Sequence, residues 1–394
     1  MLVGFGVGAV LYLFTHPNVS TGGDAVERPA VPARSFSWPL RLSSRVSVLL
    51  IGVDETLNNR RQVVPISRSD TLILVSFDPE HDQVNALWIP RDTRASIPGV
   101  GTTKINASYA FGGPGLTSRT VEDLLGVPIH YYVKLGPRSF ARIIDALGGL
   151  EIDVEKDMNY TDRWAGLSIH LKQGRQLLTG EQAMHYARFR HDVFGDIGRV
   201  ERQQKVMMAL LGKLMSPTAV LSAPQLLRAF AENTQTNLTM TNLITLGVFT
   251  ARLDHADVHV ATLPGRITPI YWEPDVARSR RIVAEMFYGV EAQALASTAI
   301  EILNASGIPG LARQTAQRLE RLGFRIVRVD NAPSLADATT IIDRTGRPQI
   351  ARVLAEILGH KRITHEPGVG PDITIVVARD LATRHTSVAA NRRR

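Results

Sequence analysis

Residues 71–89 read TLILVSFDPEHDQVNALWI, in which two apolar runs flank a short polar segment. The runs at 71–77 and 84–89 have the continuous apolar character of strands that are buried on both faces. Between them, Asp78-Pro79-Glu80-His81-Asp82 has the composition of a turn. A further apolar run at 46–51 ends at Gly52 in the same way. We therefore predict buried strands at all three places.

Helical and strand patterns alternate as far as residue 215. Thr179-Gly180-Glu181-Gln182 is a capping box that opens a short helix. Apolar spacing predicts further helices at 117–125, 140–147 and 196–214, and strands at 131–134 and 150–154. This alternation predicts an α/β fold, a mixed β-sheet flanked by helices, over residues 45–290. Residues 216–290 are predicted to be mostly helical and to complete this domain.

A second, smaller α/β domain is predicted over residues 296–381. Strand patterns at 299–303, 324–329 and 372–377 alternate with helical patterns at 308–322 and 349–358, which is typical of a βαβ module. The basic tail, 382–394, ends in Arg392, Arg393 and Arg394 and is predicted to be disordered.

The N-terminus begins with an uncharged apolar stretch at 2–14, which His16 and Pro17 interrupt. A membrane-spanning helix needs roughly 20 apolar residues, and this stretch is shorter. Three interpretations are therefore open: a truncated signal anchor, the core of a signal peptide, or a buried strand or helix. Because residues 21–39 are rich in glycine, proline and polar residues, they are typical of a linker. We expect a truncated signal anchor at 1–16 and a linker at 17–44.

Composition narrows the possible chemistry. The formal net charge is +8 and the sequence pI is about 9.9, which favours anionic partners: nucleic acid, an acidic membrane surface or phosphate-bearing substrates. The chain contains no cysteine, which excludes thiolate zinc sites, disulfide scaffolds and a cysteine nucleophile.

Charged residues cluster beside predicted strand and helix ends, where α/β sheets place their sites. If the strands at 71–77 and 84–89 are antiparallel neighbours, Asp70 and Asp92 meet at one edge, each flanked by an arginine. A single Arg-Asp pair is more often a surface ion pair, but two pairs at one edge favour a site. The clusters are Arg68-Ser69-Asp70, Pro90-Arg91-Asp92-Thr93, residues 188–192 (RFRHD) and residues 196–203 (DIGRVERQ).

Together these clusters supply guanidinium groups and a pair of carboxylates. Guanidinium groups bind phosphate oxygens with two hydrogen bonds and keep their charge, and paired carboxylates suit a Mg²⁺ ion that also binds substrate phosphate. Either aspartate could instead be the base that deprotonates an attacking hydroxyl. The combination predicts a site for a pyrophosphate. The glycine-rich stretch at 99–104 lacks the spacing of a P-loop and is predicted to be a turn.

The motifs in these regions resemble those of the LytR-CpsA-Psr family, bacterial enzymes that attach secondary polymers to peptidoglycan. The matching stretches are VLLIGVDE (48–55), RSDTLILVSFDP (68–79), IPRDTRASIPGVGTTKINASYAFGG (89–113), VEDLLGVPIHYYVKL (121–135), IIDALGGLEIDV (143–154), LTGEQAMHYARFRHD (178–192) and GDIGRVERQQ (195–204). The second unit, with EILNASGIPGLA (301–312) and GFRIVRV (323–329), resembles a C-terminal module that actinobacterial members carry, where the polymer could be arabinogalactan.

The resemblance implies a single-pass, type II membrane protein whose catalytic domain lies outside the cytoplasmic membrane. It implies an apolar tunnel for a polyprenyl tail and a phosphotransferase that moves a glycan from polyprenyl pyrophosphate to a peptidoglycan hydroxyl. Asp70 and Asp92 match the aspartates that bind Mg²⁺ (or Mn²⁺), and Asp70, Arg91 and Asp92 are the expected catalytic residues. Arg202 is expected to be structural or to support the substrate-binding residues without contacting the substrate. The expected pyrophosphate ligands are Arg68, Arg91, Lys104, Asn106, Arg188, Arg190, Arg199 and Gln203.

Two other functions are weighed against this one. A lipid pyrophosphatase would use the same site with water as the acceptor. A DNA-binding regulator fits the basic pI, but no helix-turn-helix is legible, and the arginines group around aspartates that would repel a phosphate backbone. We therefore expect no nucleic-acid partner, and the C-terminal domain is expected to bind or position a wall component.

Overall fold

The computed structural model describes residues 41–53, 69–162, 167–189, 195–214, 223–359 and 362–382. The predicted anchor, most of the linker and nearly all of the basic tail lie outside these ranges. Among the described residues, no helix combines the length and apolar character needed to cross a membrane.

The strands are numbered in chain order. They are β1 Val46–Val53, β2 Ser69–Asp78, β3 Gln83–Ile89, β4 Arg94–Ile97, β5 Gly101–Lys104, β6 Tyr131–Leu135, β7 Leu150–Val154, β8 Met158–Asp162, β9 Leu167–Leu171, β10 Gly174–Leu178, β11 Thr234–Thr236, β12 Val258–Thr262, β13 Gly265–Ile267, β14 Trp272–Pro274, β15 Ala299–Asn304, β16 Arg325–Asn331, β17 Thr340–Asp343, β18 Ile363–His365 and β19 Ile373–Val377.

The helices are numbered separately. They are α1 Ala107–Leu125, α2 Pro137–Ala146, α3 Gly180–Arg188, α4 Gly195–Leu214, α5 Ala223–Asn233, α6 Met240–Thr250, α7 Val276–Ile282, α8 Ala292–Ser297, α9 Leu311–Arg321 and α10 Pro348–Leu358. A 3₁₀ turn spans His255–Asp257, and a π-helical turn, Val283–Phe287, continues α7.

The chain folds as two compact units. The first contains the described residues up to 86 together with 131–260, and the second contains 87–130 together with 261–382. These units group residues 87–130 with the C-terminal part of the chain. The domain boundaries expected from the sequence, 45–290 and 296–381, stay a prediction.

A mixed six-stranded sheet, in the order β11-β6-β1-β2-β3-β12, organises the first unit. β1 pairs antiparallel with β2, with Val46 opposite Phe77, and parallel with β6. Because β1 and β2 are buried along almost their whole length, apolar residues occupy both of their faces, as the continuous runs predicted. Helices α2, α3, α4 and α5 pack together in this unit, and α4 also contacts β7. The predicted α/β class, a mixed sheet with helices, is confirmed.

A five-stranded sheet in the order β16-β15-β19-β17-β18 lies in the second unit. β15 pairs parallel with both β16 and β19, whereas β17 runs antiparallel to β19. Helices α9 and α10 bury their apolar sides, and both contact strands of this sheet. The smaller α/β domain is therefore present, with β17 and β18 in addition to the expected strands.

Three local expectations were wrong. The helix predicted at 117–125 in fact starts at Ala107. Its backbone is non-helical at Gly112 and Gly113, just before Pro114, and this break interrupts the apolar spacing from which the helix was predicted. Residues 216–290 are not mostly helical, since β11–β14 interrupt the helices with strands too short to show a two-residue period. The alternation of charged residues in RFRHD favours an extended segment with Arg188 and Arg190 on one side, but Arg188 instead ends α3.

A buried ion pair lies at one end of the central β1–β2 strand pair of the first sheet. The Arg45 Nη2 donates to Asp78 Oδ2 at 2.6 Å, and their side chains are only 6% and 3% exposed. Burial opposes ionisation of Asp78, but the Arg45 charge and hydrogen bonds from Arg45, His81 and Glu80 outweigh it and lower the pKa of this carboxyl below 3.8. The carboxylate is therefore charged in the folded protein.

We predict that Asp78→Asn lowers the free energy of unfolding by about 3 kcal/mol at pH 7, because it leaves a buried guanidinium without its counter-charge. Since the folded pKa of Asp78 is depressed, the contribution is present above the ordinary pKa and is lost as the pH falls through the folded value. Urea unfolding at several pH values measures both effects.

Glu232→Gln is the matched control, because the Arg228–Glu232 pair is exposed at 81% and 54%. It should change the free energy of unfolding by less than about 0.5 kcal/mol. Equal effects of the two substitutions would contradict the role given to the buried pair.

Candidate active site

The turn after β3, Pro90-Arg91-Asp92-Thr93, is fixed by its own backbone. Thr93 donates to the Pro90 carbonyl through its N–H at 3.0 Å and through Oγ1 at 2.6 Å. The Arg91 carbonyl accepts from Asn106 N–H at 3.2 Å, and the Thr93 carbonyl accepts from Ile105 N–H at 2.8 Å. The first two bonds close the turn on itself, and the other two hold it against the chain that follows β5, so its side chains project from a rigid base.

Two cations flank the Asp92 carboxylate on this turn. Lys104 Nζ lies 2.9 Å from Asp92 Oδ1, and Arg91 Nε lies 3.8 Å from Asp92 Oδ2. The three side chains are between 28% and 39% exposed, so solvent and a ligand can both reach them. One carboxylate between two cations leaves a net positive cluster, which favours an anionic ligand.

Asn106 adds an oxygen that the described residues do not satisfy. The residue is 5% exposed, and its Oδ1 has no hydrogen-bond partner among the described residues. Asn106 precedes α1 with helical backbone angles and makes no side-chain cap to that helix. A buried oxygen of this kind can accept a hydrogen bond from a bound molecule or coordinate a cation.

These oxygens fit Mg²⁺ chemistry. Mg²⁺ prefers oxygen ligands and keeps several waters, with one or two carboxylates and substrate phosphates completing its shell. No three His, Asp or Glu side chains gather as a metal cluster within the part of the chain that the structure describes. A site made from Asp92, a second carboxylate and phosphate oxygens needs no such cluster.

The β13–β14 hairpin supports the turn from its other side. Trp272 N–H donates to the Asp92 carbonyl at 2.9 Å, and Thr93 forms a parallel bridge with Trp272. The guanidinium of Arg94 binds Glu273 Oε1 at 3.2 Å and lies 5.8 Å from the centre of the Tyr271 ring. Sequence analysis missed this hairpin. The signal that could have found it is the Tyr271-Trp272 pair after Thr268-Pro269, a strand-forming pair behind a turn.

The remaining predicted ligands lie in or beside the first compact unit. Asp70 is half-buried near the start of β2, Arg188 is half-buried at the end of α3, and Gln203 is half-buried in α4. The backbone of Arg199 lies in α4. Arg68, Arg190 and the side chain of Arg199 lie outside what the structure describes. The structure thus brings together Arg91, Asp92, Lys104 and Asn106, and the meeting of Asp70 with Asp92 stays a prediction.

The motif order and this geometry agree with a family comparison. The model of the LytR_cpsA_psr family matches residues 23–301. The chain belongs to the LytR-CpsA-Psr family. A second model, described as "LytR cell envelope-related transcriptional attenuator", matches residues 297–381. The resemblance read from the sequence is confirmed for both parts of this LytR-CpsA-Psr protein.

Named relatives of this LytR-CpsA-Psr chain include enzymes. It is 38% identical over 240 residues, 59% of this chain and 75% of the relative, to the polyisoprenyl-teichoic acid–peptidoglycan teichoic acid transferase TagU of Bacillus cereus. It is 32% identical over 236 residues, 59% of this chain and 69% of the relative, to the regulatory protein MsrR of Staphylococcus aureus. The crystal structure of B. subtilis TagV matches with a TM-score of 0.52 and 30% identity, covering 62% of this chain and 97% of TagV.

We predict that Gly265→Ala disturbs the turn through the β13–β14 hairpin. A Cβ on Gly265 would lie 2.5 Å from the Glu273 carbonyl oxygen and would also collide with the Trp272 indole. Because backbone must move to relieve this overlap, the substitution should lower the free energy of unfolding by about 2 kcal/mol.

Gly115→Ala is the matched control, because a Cβ there meets nothing within 4 Å. Alanine should stabilise this helical position by roughly 0.5–1 kcal/mol. Denaturant unfolding of both variants measures the contrast, and a Gly265→Ala protein as stable as the Gly115→Ala protein would contradict it.

Proposed function

We propose that this protein is an extracytoplasmic phosphotransferase that moves a glycan from a polyprenyl-pyrophosphate carrier to peptidoglycan. The observation that carries the proposal is the Asp92 carboxylate between Lys104 and Arg91, on a turn held by backbone hydrogen bonds. The name of the B. cereus relative describes transfer of teichoic acid from a polyisoprenyl carrier to peptidoglycan, which supports the reaction class. The glycan of this protein could differ, and arabinogalactan is one candidate.

The reaction forms one phosphorus–oxygen bond and breaks another. A peptidoglycan hydroxyl oxygen bonds to the phosphorus that carries the glycan, and the bond from that phosphorus to the bridging oxygen breaks. Polyprenyl phosphate leaves, and the hydroxyl proton passes to a base, for which Asp70 and Asp92 are the candidates. Arg91 and Lys104 would stabilise the negative charge of the transferring phosphoryl group and of the leaving phosphate.

Asp70 and Asp92 are the proposed ligands of Mg²⁺ (or Mn²⁺). Asn106, whose N–H binds the turn that carries Asp92, would add Oδ1, an oxygen with no hydrogen-bond partner among the described residues. A divalent ion bound there would shield the charge of the pyrophosphate. We also propose that Arg68, Arg188, Arg190, Arg199 and Gln203 bind the pyrophosphate oxygens.

The setting of the reaction is part of the proposal. A lipid-linked donor and a peptidoglycan acceptor require a catalytic domain outside the cytoplasmic membrane, which the expected anchor at 1–16 would provide as a single-pass, type II segment. The C-terminal domain would bind or position a wall component.

We predict that Arg91→Ala and Asp92→Asn each lower glycan transfer by about 100-fold or more. Arg91→Ala removes a cation that faces the reacting phosphates, and Asp92→Asn removes the carboxylate proposed as base or metal ligand. The assay uses the membrane-extracted full chain, a polyprenyl-pyrophosphate-linked glycan and peptidoglycan. Arg175→Ala is the control, since Arg175 is 75% exposed and forms an ion pair with Glu151, which is 58% exposed. Undiminished transfer by both site variants would remove the proposal.

The same assay separates a transferase from a hydrolase. Analysis of products with and without peptidoglycan shows whether the glycan phosphate joins the acceptor or is released to water. A product that forms at the same rate without peptidoglycan would favour the pyrophosphatase.

We predict that a chelator abolishes transfer and that added Mg²⁺ restores it. Asp92→Asn should raise the Mg²⁺ concentration needed for half of its residual activity by about tenfold, since a neutral amide binds the cation less well. A titration of activity against Mg²⁺ measures this shift. Full activity in excess chelator would exclude the proposed metal.

A further inference from the structure

Arg202 is a buried arginine in the middle of α4. Only 4% of it is exposed, although arginine is almost never fully buried unless it is paired. Its Nη1 donates to Glu155 Oε1 at 2.9 Å, and its Nη2 donates to the Phe189 carbonyl at 2.8 Å. Its guanidinium also lies 5.4 Å from the centre of the Phe189 ring. One side chain therefore joins α4 to Glu155, just after β7, and to the end of α3.

Glu155 completes the network. Its second oxygen, Oε2, accepts from the Tyr186 hydroxyl at 2.7 Å, and Tyr186 is fully buried in α3. Burial raises the pKa of the Glu155 carboxyl, but the hydrogen bonds from Tyr186 and Arg202 outweigh burial and lower it below its usual value. The carboxylate thus keeps its charge, and both of its oxygens are engaged.

Phe189 is the residue on which this network acts. It caps the C-terminal end of α3 in an extended conformation, with φ −59° and ψ 127°, and it is 4% exposed. Arg202 holds its carbonyl and one side of its ring, and Lys156 Nζ lies 5.6 Å from the ring centre. Because Phe189 directly follows Arg188, fixing Phe189 determines the direction in which the chain leaves α3 beside that arginine.

We propose that Arg202, Glu155 and Tyr186 form a clamp, in which Arg202 and Tyr186 are buried and Glu155 is 40% exposed, that positions Arg188 to bind the pyrophosphate. The members of this clamp are positioning residues, since they act through Phe189 and do not contact the substrate. The inference rests on the proposed function, which makes Arg188 a phosphate ligand. A long arginine side chain loses much conformational freedom when it binds, and a fixed backbone at its base reduces that loss.

Glu155→Gln tests the clamp, because it keeps the shape of the side chain and removes the charge that faces Arg202. In the full chain we expect KM for the lipid-linked donor to rise about tenfold while kcat changes by less than about threefold, since a misplaced ligand weakens binding of substrate and transition state alike. Binding of farnesyl pyrophosphate with Mg²⁺, measured by calorimetry, should weaken by the same factor. Tyr186→Phe removes only one hydrogen bond and should give a smaller rise; it replaces Glu155→Gln as the test if that variant does not fold.

Glu151→Gln is the matched control. Glu151 lies in β7, four positions before Glu155, and pairs with Arg175 at 2.6 Å, but both side chains are more than half exposed. The same chemical change in an exposed ion pair should leave KM and farnesyl pyrophosphate binding within about twofold of the unsubstituted protein.

A double variant distinguishes positioning from a general loss of stability. If Glu155 acts through Arg188, Glu155→Gln should have little further effect on KM once Arg188→Gln is present, because residues that share one interaction are not additive. Additive effects of the two substitutions on KM would overturn the clamp and leave the proposed function intact. The same conclusion would follow if Arg188→Gln raised KM while Glu155→Gln left it as unchanged as Glu151→Gln does. An unsubstituted protein that neither transfers glycan nor binds farnesyl pyrophosphate would overturn the proposed function, and the clamp with it.

Discussion

The carbonyl groups of a single turn are the constraint on which the candidate site depends. The backbone carbonyls of Arg91, Asp92 and Thr93 each accept a hydrogen bond from an N–H of another segment. Those segments are the two residues between β5 and α1, and the β14 strand. Charged side chains repel or attract one another weakly when they are mobile in water, and strongly when their positions are fixed. The turn therefore converts an ordinary run of Pro-Arg-Asp-Thr into a preorganised charged group, in which Asp92 lies between two cations before any ligand arrives.

The parts of the fold that the sequence predicted are those with strong local signals. The strands β1, β2 and β3 are long and apolar on both faces, and Thr179 forms the capping box with Gln182 that its spacing indicated. The charged turn was found for the same reason, because all of its functional residues are adjacent in sequence. In each case the residues that predict the feature lie within one short segment of the sequence.

The parts that were missed depend on contacts between distant segments. The strands β13 and β14 are short. Contacts of β14 with Asp92, Thr93 and Arg94, which are far away in sequence, hold this hairpin in place. On α4, apolar spacing predicts a buried face at Val200, Met207, Leu210 and Leu214. The structure buries Leu210 and leaves Met207 half-buried, and it also buries Arg202. The side chains of Val200 and Leu214 lie outside what the structure describes. An arginine on a buried face cannot be recognised from periodicity, since its burial is decided by Glu155 and the Phe189 carbonyl, which periodicity does not describe.

Ion pairs in this protein consequently differ in how far water reaches them and in what they contribute to the structure, although the sequence does not distinguish them. Exposed pairs such as Arg175–Glu151 are screened by water and contribute little to the free energy of unfolding. In the set formed by Arg202, Glu155 and Tyr186, the arginine and the tyrosine are buried, and their hydrogen bonds to the two Glu155 oxygens offset the cost of taking the guanidinium out of water. An apolar set in place of the buried side chains could fill the same space with little loss of stability. What an apolar set could not do is bind the Phe189 carbonyl at one fixed distance and direction. A hydrogen-bonded set is therefore favoured where function requires one fixed backbone position, even if it adds nothing to the free energy of unfolding. The end of α3, beside Arg188, is such a position if that arginine binds phosphate.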